Sequence, residues 1–73
     1  MMVIKGGMHR GIEYSCMLEA DRFVPDEKTS ENGRTLYGFL GIAVNKNDQK
    51  SMLYFDENMH FVKGHLLSGE VNL

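Results

Sequence analysis

Residues 35 to 44 read Thr-Leu-Tyr-Gly-Phe-Leu-Gly-Ile-Ala-Val, apolar at odd and even positions alike, and no other stretch constrains the fold as strongly. A short run that is apolar on both sides of the period-two alternation suits a central β-strand covered from two directions. Gly38 and Gly41 weaken a flat strand, so they point to local bending or to the close approach of another backbone. Residues 45 to 48, Asn-Lys-Asn-Asp, form a turn, and residues 49 to 55 return antiparallel. Residues 56 to 58, Asp-Glu-Asn, form a second turn with Asn58 as its left-handed residue, and residues 59 to 67 complete a three-stranded meander.

Upstream, residues 12 to 20 place Ile12, Tyr14, Cys16, Leu18 and Ala20 on one side of a strand, with Met17 as the exception. A helix over residues 12 to 23 gathers Ile12, Cys16, Ala20 and Phe23 instead, and is the alternative, which converts the class to α+β. Residues 24 to 34 hold the only proline and no large apolar residue after Val24, which reads as a solvated connection. In it Asn32-Gly33 favours positive φ and closes a tight turn into the central strand. Gly6, Gly7 and Gly11 surround Met8-His9-Arg10; a phosphate-cradling loop needs a GxxxxGK[ST] run between a strand and a helix, so this segment reads as a flexible connection. The expected fold is therefore mainly β: five antiparallel strands near 2 to 5, 11 to 20, 34 to 44, 49 to 55 and 59 to 67, as a meander or an SH3-like small barrel. It forms a single domain over residues 1 to 73, with 68 to 73 a flexible tail.

Turn lengths set the expected register. A four-residue loop pairs Val44 with Gln49 and a three-residue loop pairs Phe55 with Met59. One face then carries Leu36, Leu40, Ile42, Val44, Leu53, Phe55, Met59 and Phe61 as the main core. The other carries Tyr37, Phe39, Met52, Tyr54, His60 and Val62, with Phe39, Tyr54 and His60 in one rank. If the N-terminal strands curl over the first face, the second stays open to water, where a contiguous apolar patch marks an interaction surface. Those six residues are the candidate interaction face.

Seventy-three residues bury only a thin core, and chains of this size commonly add a disulfide, a metal or a partner. The lone Cys16 forms no internal disulfide, and His9, His60 and His65 lack the spacing of a structural zinc site. Self-association is the remaining supplement, as a homodimer through the candidate face or an adjoining open strand edge; another protein is the second possible partner. A net charge of -2 with dispersed Lys and Arg argues against duplex DNA and against an anionic membrane surface. The N-terminal residues are too short in apolar length for a secretory segment and no run approaches a membrane helix, which makes the expected compartment cytoplasmic.

Chemistry-bearing constellations are sparse. Cys16 with His9 or His60 is the arrangement a thiol enzyme needs, but a cysteine on the apolar side of a strand reads as a small core residue. Asp56, Glu57 and His60 fall short of the ligands a hard cation or zinc requires, and His60 reads as a cross-strand partner of Tyr54. Leu53-Tyr-Phe-Asp-Glu-Asn58 followed by Val62-Lys-Gly64 resembles one unit of the choline- or glucan-binding cell-wall repeats, in which a Tyr-Phe-Asp-x-x-Gly hairpin precedes an apolar-x-Gly step. Those repeats occur in tandem and line sugar sites with Trp and Tyr. This chain has one copy, no Trp and Met59 in the place of the Gly, so the function is not carried over.

The expectation is a non-enzymatic protein-interaction module that self-associates, without catalytic residues, metal or cofactor. The alternatives are a module that stacks single-stranded nucleic acid on its aromatic face and a small thiol-dependent enzyme.

Overall fold

A computed structural model describes residues 2 to 20 and 22 to 67. The described residues form one antiparallel sheet of six strands: β1 (Met2–His9), β2 (Ile12–Glu19), β3 (Glu27–Glu31), β4 (Arg34–Ala43), β5 (Gln49–Phe55) and β6 (Phe61–Leu66). The mainly β class holds, and residues 12 to 19 are strand, which removes the helical alternative. The strand count is six rather than five, and the sheet is not closed into a barrel. The expected tail at 68 to 73 lies outside the described residues.

The order β1-β2-β4-β5-β6 has β3 set beside it, paired only with β4. Both β2 and β3 lie along the edge of β4 opposite β5: β3 covers residues 34 to 38 and β2 only Ile42 and Ala43. Two of the four hairpins close on two-residue turns. Arg10 (φ 53°) and Gly11 (φ 75°) close β1–β2, while Asn32 (φ 52°) and Gly33 (φ 78°) close β3–β4. Two consecutive left-handed residues are the mark of the two-residue hairpin whose twist matches its strands. The Asn32-Gly33 turn is where the sequence places it. The Gly6-Gly7 segment, expected as a connection, is regular strand to His9.

β3 lies in the segment expected to be a solvated connection. Glu-Lys-Thr-Ser-Glu has no apolar alternation, and it is held by its ladder to β4 and by side-chain ties on the sheet's outer face. There Tyr54 donates to Glu27 Oε1 at 2.8 Å, and Lys63, its ammonium 5.3 Å from the centre of the Tyr54 ring, is ion-paired with Glu31. The hydrogen bond that Lys63 donates to Glu31 holds the Glu31 carboxyl below its ordinary range.

The core fills the inner side of the curled sheet. Tyr14, Cys16, Leu18, Phe39, Ala43, Leu53 and Phe55 form one buried cluster, with Ile12, Tyr37, Met59, Phe61 and Leu66 packed against it. Its rings meet edge to face, Phe39 with Phe55 at 5.6 Å and Phe55 with Phe61 at 5.7 Å, a geometry favoured by the ring quadrupole. Burying a Leu or Phe fully contributes about 1.5–3 kcal/mol, so Leu53 and Phe55, both without exposed surface, are principal anchors.

The expected register of both hairpins needs correction, and with it the two faces. Asn47 and Asp48 both adopt positive φ, and the β4–β5 loop takes one more residue, so Gln49 pairs with Ala43, not Val44. Because side chains alternate, that single step moves Tyr37 and Phe39 to the core side with Leu53 and Phe55, and sends Leu40 and Ile42 to the other side with Met52 and Tyr54; Leu36 shares that side but is fully buried, as expected of a core residue. In the next hairpin Asp56 Oδ1 accepts the N–H groups of Asn58 and His60, both at 2.9 Å, and Met59 rather than Asn58 takes the left-handed conformation. These bonds hold the Asp56 carboxyl below its ordinary range. Phe55 therefore pairs with Phe61, and a bulge absorbs Val62.

Candidate functional site

The six residues expected to share an interaction face are divided. Tyr37 and Phe39 belong to the inner side, Phe39 with only 3% of its surface exposed, while Met52 and Tyr54 lie outside. His60 projects from the hairpin loop, its Nδ1 3.8 Å from an Asp56 carboxylate oxygen, and is not paired with Tyr54. Val62 sits in the β6 bulge. No aromatic platform of Phe39, Tyr54 and His60 is formed.

A different apolar surface exists on the outer side, built from residues whose roles the register correction exchanged. Ile4 stands opposite Met17 across β1–β2, Ser15 opposite Ile42 across β2–β4, and Leu40 opposite Met52 across β4–β5. Alternation places all of them, with Met8 and Val44, on the same side. Ile4 is 70% and Met17 61% exposed, and Met8, Leu40 and Val44 are also exposed. Between them lies a shallow groove of about 350 Å³ lined by Ile4, Ser15, Met17, Leu40, Ile42 and Lys50. Val24 extends the apolar area next to Met17 and Leu40 in an adjoining depression. Met17, the residue that breaks the alternation of β2, was the available sequence signal for this surface.

The floor of the groove is fixed at Leu40, where neither β2 nor β3 pairs with β4. Side chains replace the missing ladder. The Leu40 N–H donates to Asp26 Oδ2 at 2.9 Å, the Cys16 thiol donates to the Leu40 carbonyl at 3.2 Å, and the Asp26 N–H donates to the Gly38 carbonyl at 2.8 Å. The bond from Cys16 is half-buried, and leaving a buried polar group unsatisfied costs about 1–3 kcal/mol, whereas the bond to Asp26 is exposed.

Cys16 is therefore a structural donor. Burial and, after it, the charge of Asp26 push its thiol from 9.0 up to about 11, the opposite of the shift that creates a nucleophile. At neutral pH a thiol reagent is expected to label Cys16 only as fast as the chain opens, which the dependence of labelling rate on urea checks. Folding favours the protonated thiol, so stability is intact below pH 9 and declines as pH rises toward about 11. Tyr54, pushed to about 12 by burial and by its bond to Glu27, adds a later decline above its ordinary 10.0. Cys16→Ser keeps a donor to Leu40 and is expected to abolish the earlier of the two declines, as read by urea melts at a series of pH values.

Among the described residues no three His, Cys, Asp or Glu side chains converge as metal ligands, and no helix is long and apolar enough to cross a membrane. No protein-family model, curated protein or solved structure is matched by this chain.

Proposed function

We propose that the protein is a non-enzymatic interaction module whose outer apolar face binds a second copy of the chain. The observation that carries this reading is the contiguous exposed surface of Ile4, Met8, Met17, Leu40 and Val44. A domain with so thin a core gains most by covering such a surface, and single-chain proteins rarely leave one open. A two-fold dimer presents the same patch from both sides, so the patch must carry its own counter-charges. This one does: Lys50 stands opposite Ile42, Glu13 opposite Met8, and Glu19 two residues along β2 from Met17.

An association resting on these few side chains is expected to be weak, with a dissociation constant in the micromolar range. Light scattering across a concentration series is the test. A dimer that Met17→Asp or Leu40→Asp converts to folded monomer, while His60→Ala leaves it intact, supports the reading. A monomer at high micromolar concentration, or a dimer indifferent to both aspartates, overturns it.

A further inference from the structure

A second concavity lies away from the outer face, at the seam where β1 runs alongside β6. It measures about 460 Å³, within the usual range of small-molecule sites, and is lined by His9, Arg10, Ile12, Tyr14, Lys63, Gly64, His65 and Leu66. Four of these side chains are basic and none is acidic, in a chain whose net charge is -2. Lys63 is committed to Glu31 and Tyr54 on the outer face, so its charge does not serve the cleft. Arg10 has no ion-pair partner among the described residues.

Tyr14 supplies an independent observation. Its side chain is 4% exposed, and the far end of its ring lies over Gly64, where any side chain would collide with Cε1 and Cζ. Its hydroxyl has no hydrogen-bond partner among the described residues, yet no buried side-chain nitrogen or oxygen there is unpaired. The hydroxyl is thus not fully buried, and it lies beside Gly64, a wall of the cleft. The Tyr14 hydroxyl, the His9 imidazole and the Arg10 guanidinium, which has no ion-pair partner among the described residues, belong to residues that line this concavity, while His65, opposite Met52, lines it from the outer side. Such a donor set matches an oxyanion of more than one negative charge, since guanidinium and phosphate form paired charge-assisted bonds. Ile12 and Leu66 offer apolar contact to a carbon-bearing remainder, which inorganic phosphate lacks.

We propose that this cleft binds the phosphate group of a small phosphate monoester. The arrangement differs from a phosphate-cradling loop: Arg10 and His9 act through side chains at a hairpin turn rather than through successive backbone N–H groups.

The test is an NMR titration of the intact chain with adenosine monophosphate, with inorganic phosphate and with a short single-stranded oligonucleotide. The expected result is saturable shifts at His9, Arg10, Tyr14, Gly64 and His65 with the monoester and weaker ones with inorganic phosphate. Arg10→Asn, which suits the left-handed turn, is expected to weaken monoester binding about tenfold. Tyr14→Phe keeps the ring and removes the donor, and is expected to weaken it severalfold, whereas Lys28→Gln on β3 has no effect. Absence of saturable shifts at millimolar monoester overturns the proposal, as does binding unaffected by both Arg10→Asn and Tyr14→Phe. Binding confined to the oligonucleotide also overturns it, in favour of a nucleic-acid strand as the ligand.

Discussion

Alanine at Phe39 is expected to remove about 3–5 kcal/mol of stability, a large share of what the domain has. The ring is buried in the inner cluster, edge to face with Phe55, and replacing a buried Phe by Ala typically costs about 3–5 kcal/mol through lost transfer energy and the cavity left behind. A domain of 73 residues has roughly 4–11 kcal/mol at its disposal. Urea denaturation followed by circular dichroism reads the outcome. Phe39→Asp separates two readings of the sheet: on the register expected from turn lengths it gives a folded monomer, and on the observed register it gives an unfolded chain. Leu40→Asp, one residue along, is expected to stay folded.

Gly41→Ala is expected to detach the N-terminal hairpin from the rest of the sheet. A Cβ at this position sits 2.6 Å from the Ser15 carbonyl oxygen and meets Leu53 Cδ1 as well. A backbone oxygen cannot swing aside as a side chain does. The contact falls where β2 joins β4 through only two residue pairs, Tyr14 with Ala43 and Ser15 with Ile42. Overpacking typically costs about 1–3 kcal/mol, and here it acts on the weakest junction between strands. Hydrogen exchange is the appropriate measurement. Amides of β1 and β2 are expected to lose protection well before those of β4 and β5, whereas uniform loss across the sheet contradicts a local effect.

Much of this architecture was legible from residue order. The turn at Asn32-Gly33 and the buried side of β2 follow from φ preference and alternation, and of the two expectations for Gly38 and Gly41, bending or close backbone approach, the second holds at Gly41 while Gly38 meets only side chains. Register was not legible, because it hinges on whether Val44 pairs with Gln49 or joins the loop and leaves that place to Ala43. Nothing local to Val44 decides this, and the choice reverses every side chain of β4 relative to β5. β3 was missed for a different reason. Its stabilisation comes from partners distant in sequence, Tyr54 and Lys63, so no local pattern announces it. The interaction face inherited the register error: Leu40 was assigned to the core and Phe39 to the surface, while the structure has them the other way round. The basic cleft combines residues from both ends of the chain, and its tyrosine looked like ordinary core.

The unsewn seam between β1 and β6 bears on how the chain avoids aggregation. These are the two ends of the strand order, each hydrogen-bonded on one side only, and such edges are templates for pairing with other chains. Here they run next to each other, with Gly7 of β1 against the Phe61 ring of β6, so each edge is the other's cover. The remaining edge, β3, is five residues long and carries Glu27, Lys28 and Glu31, a charged and abbreviated strand of the sort that resists edge-to-edge growth. A substitution that pries the seam apart therefore uncovers two long unprotected edges at once, and its first consequence in solution is polymerisation rather than simple loss of structure.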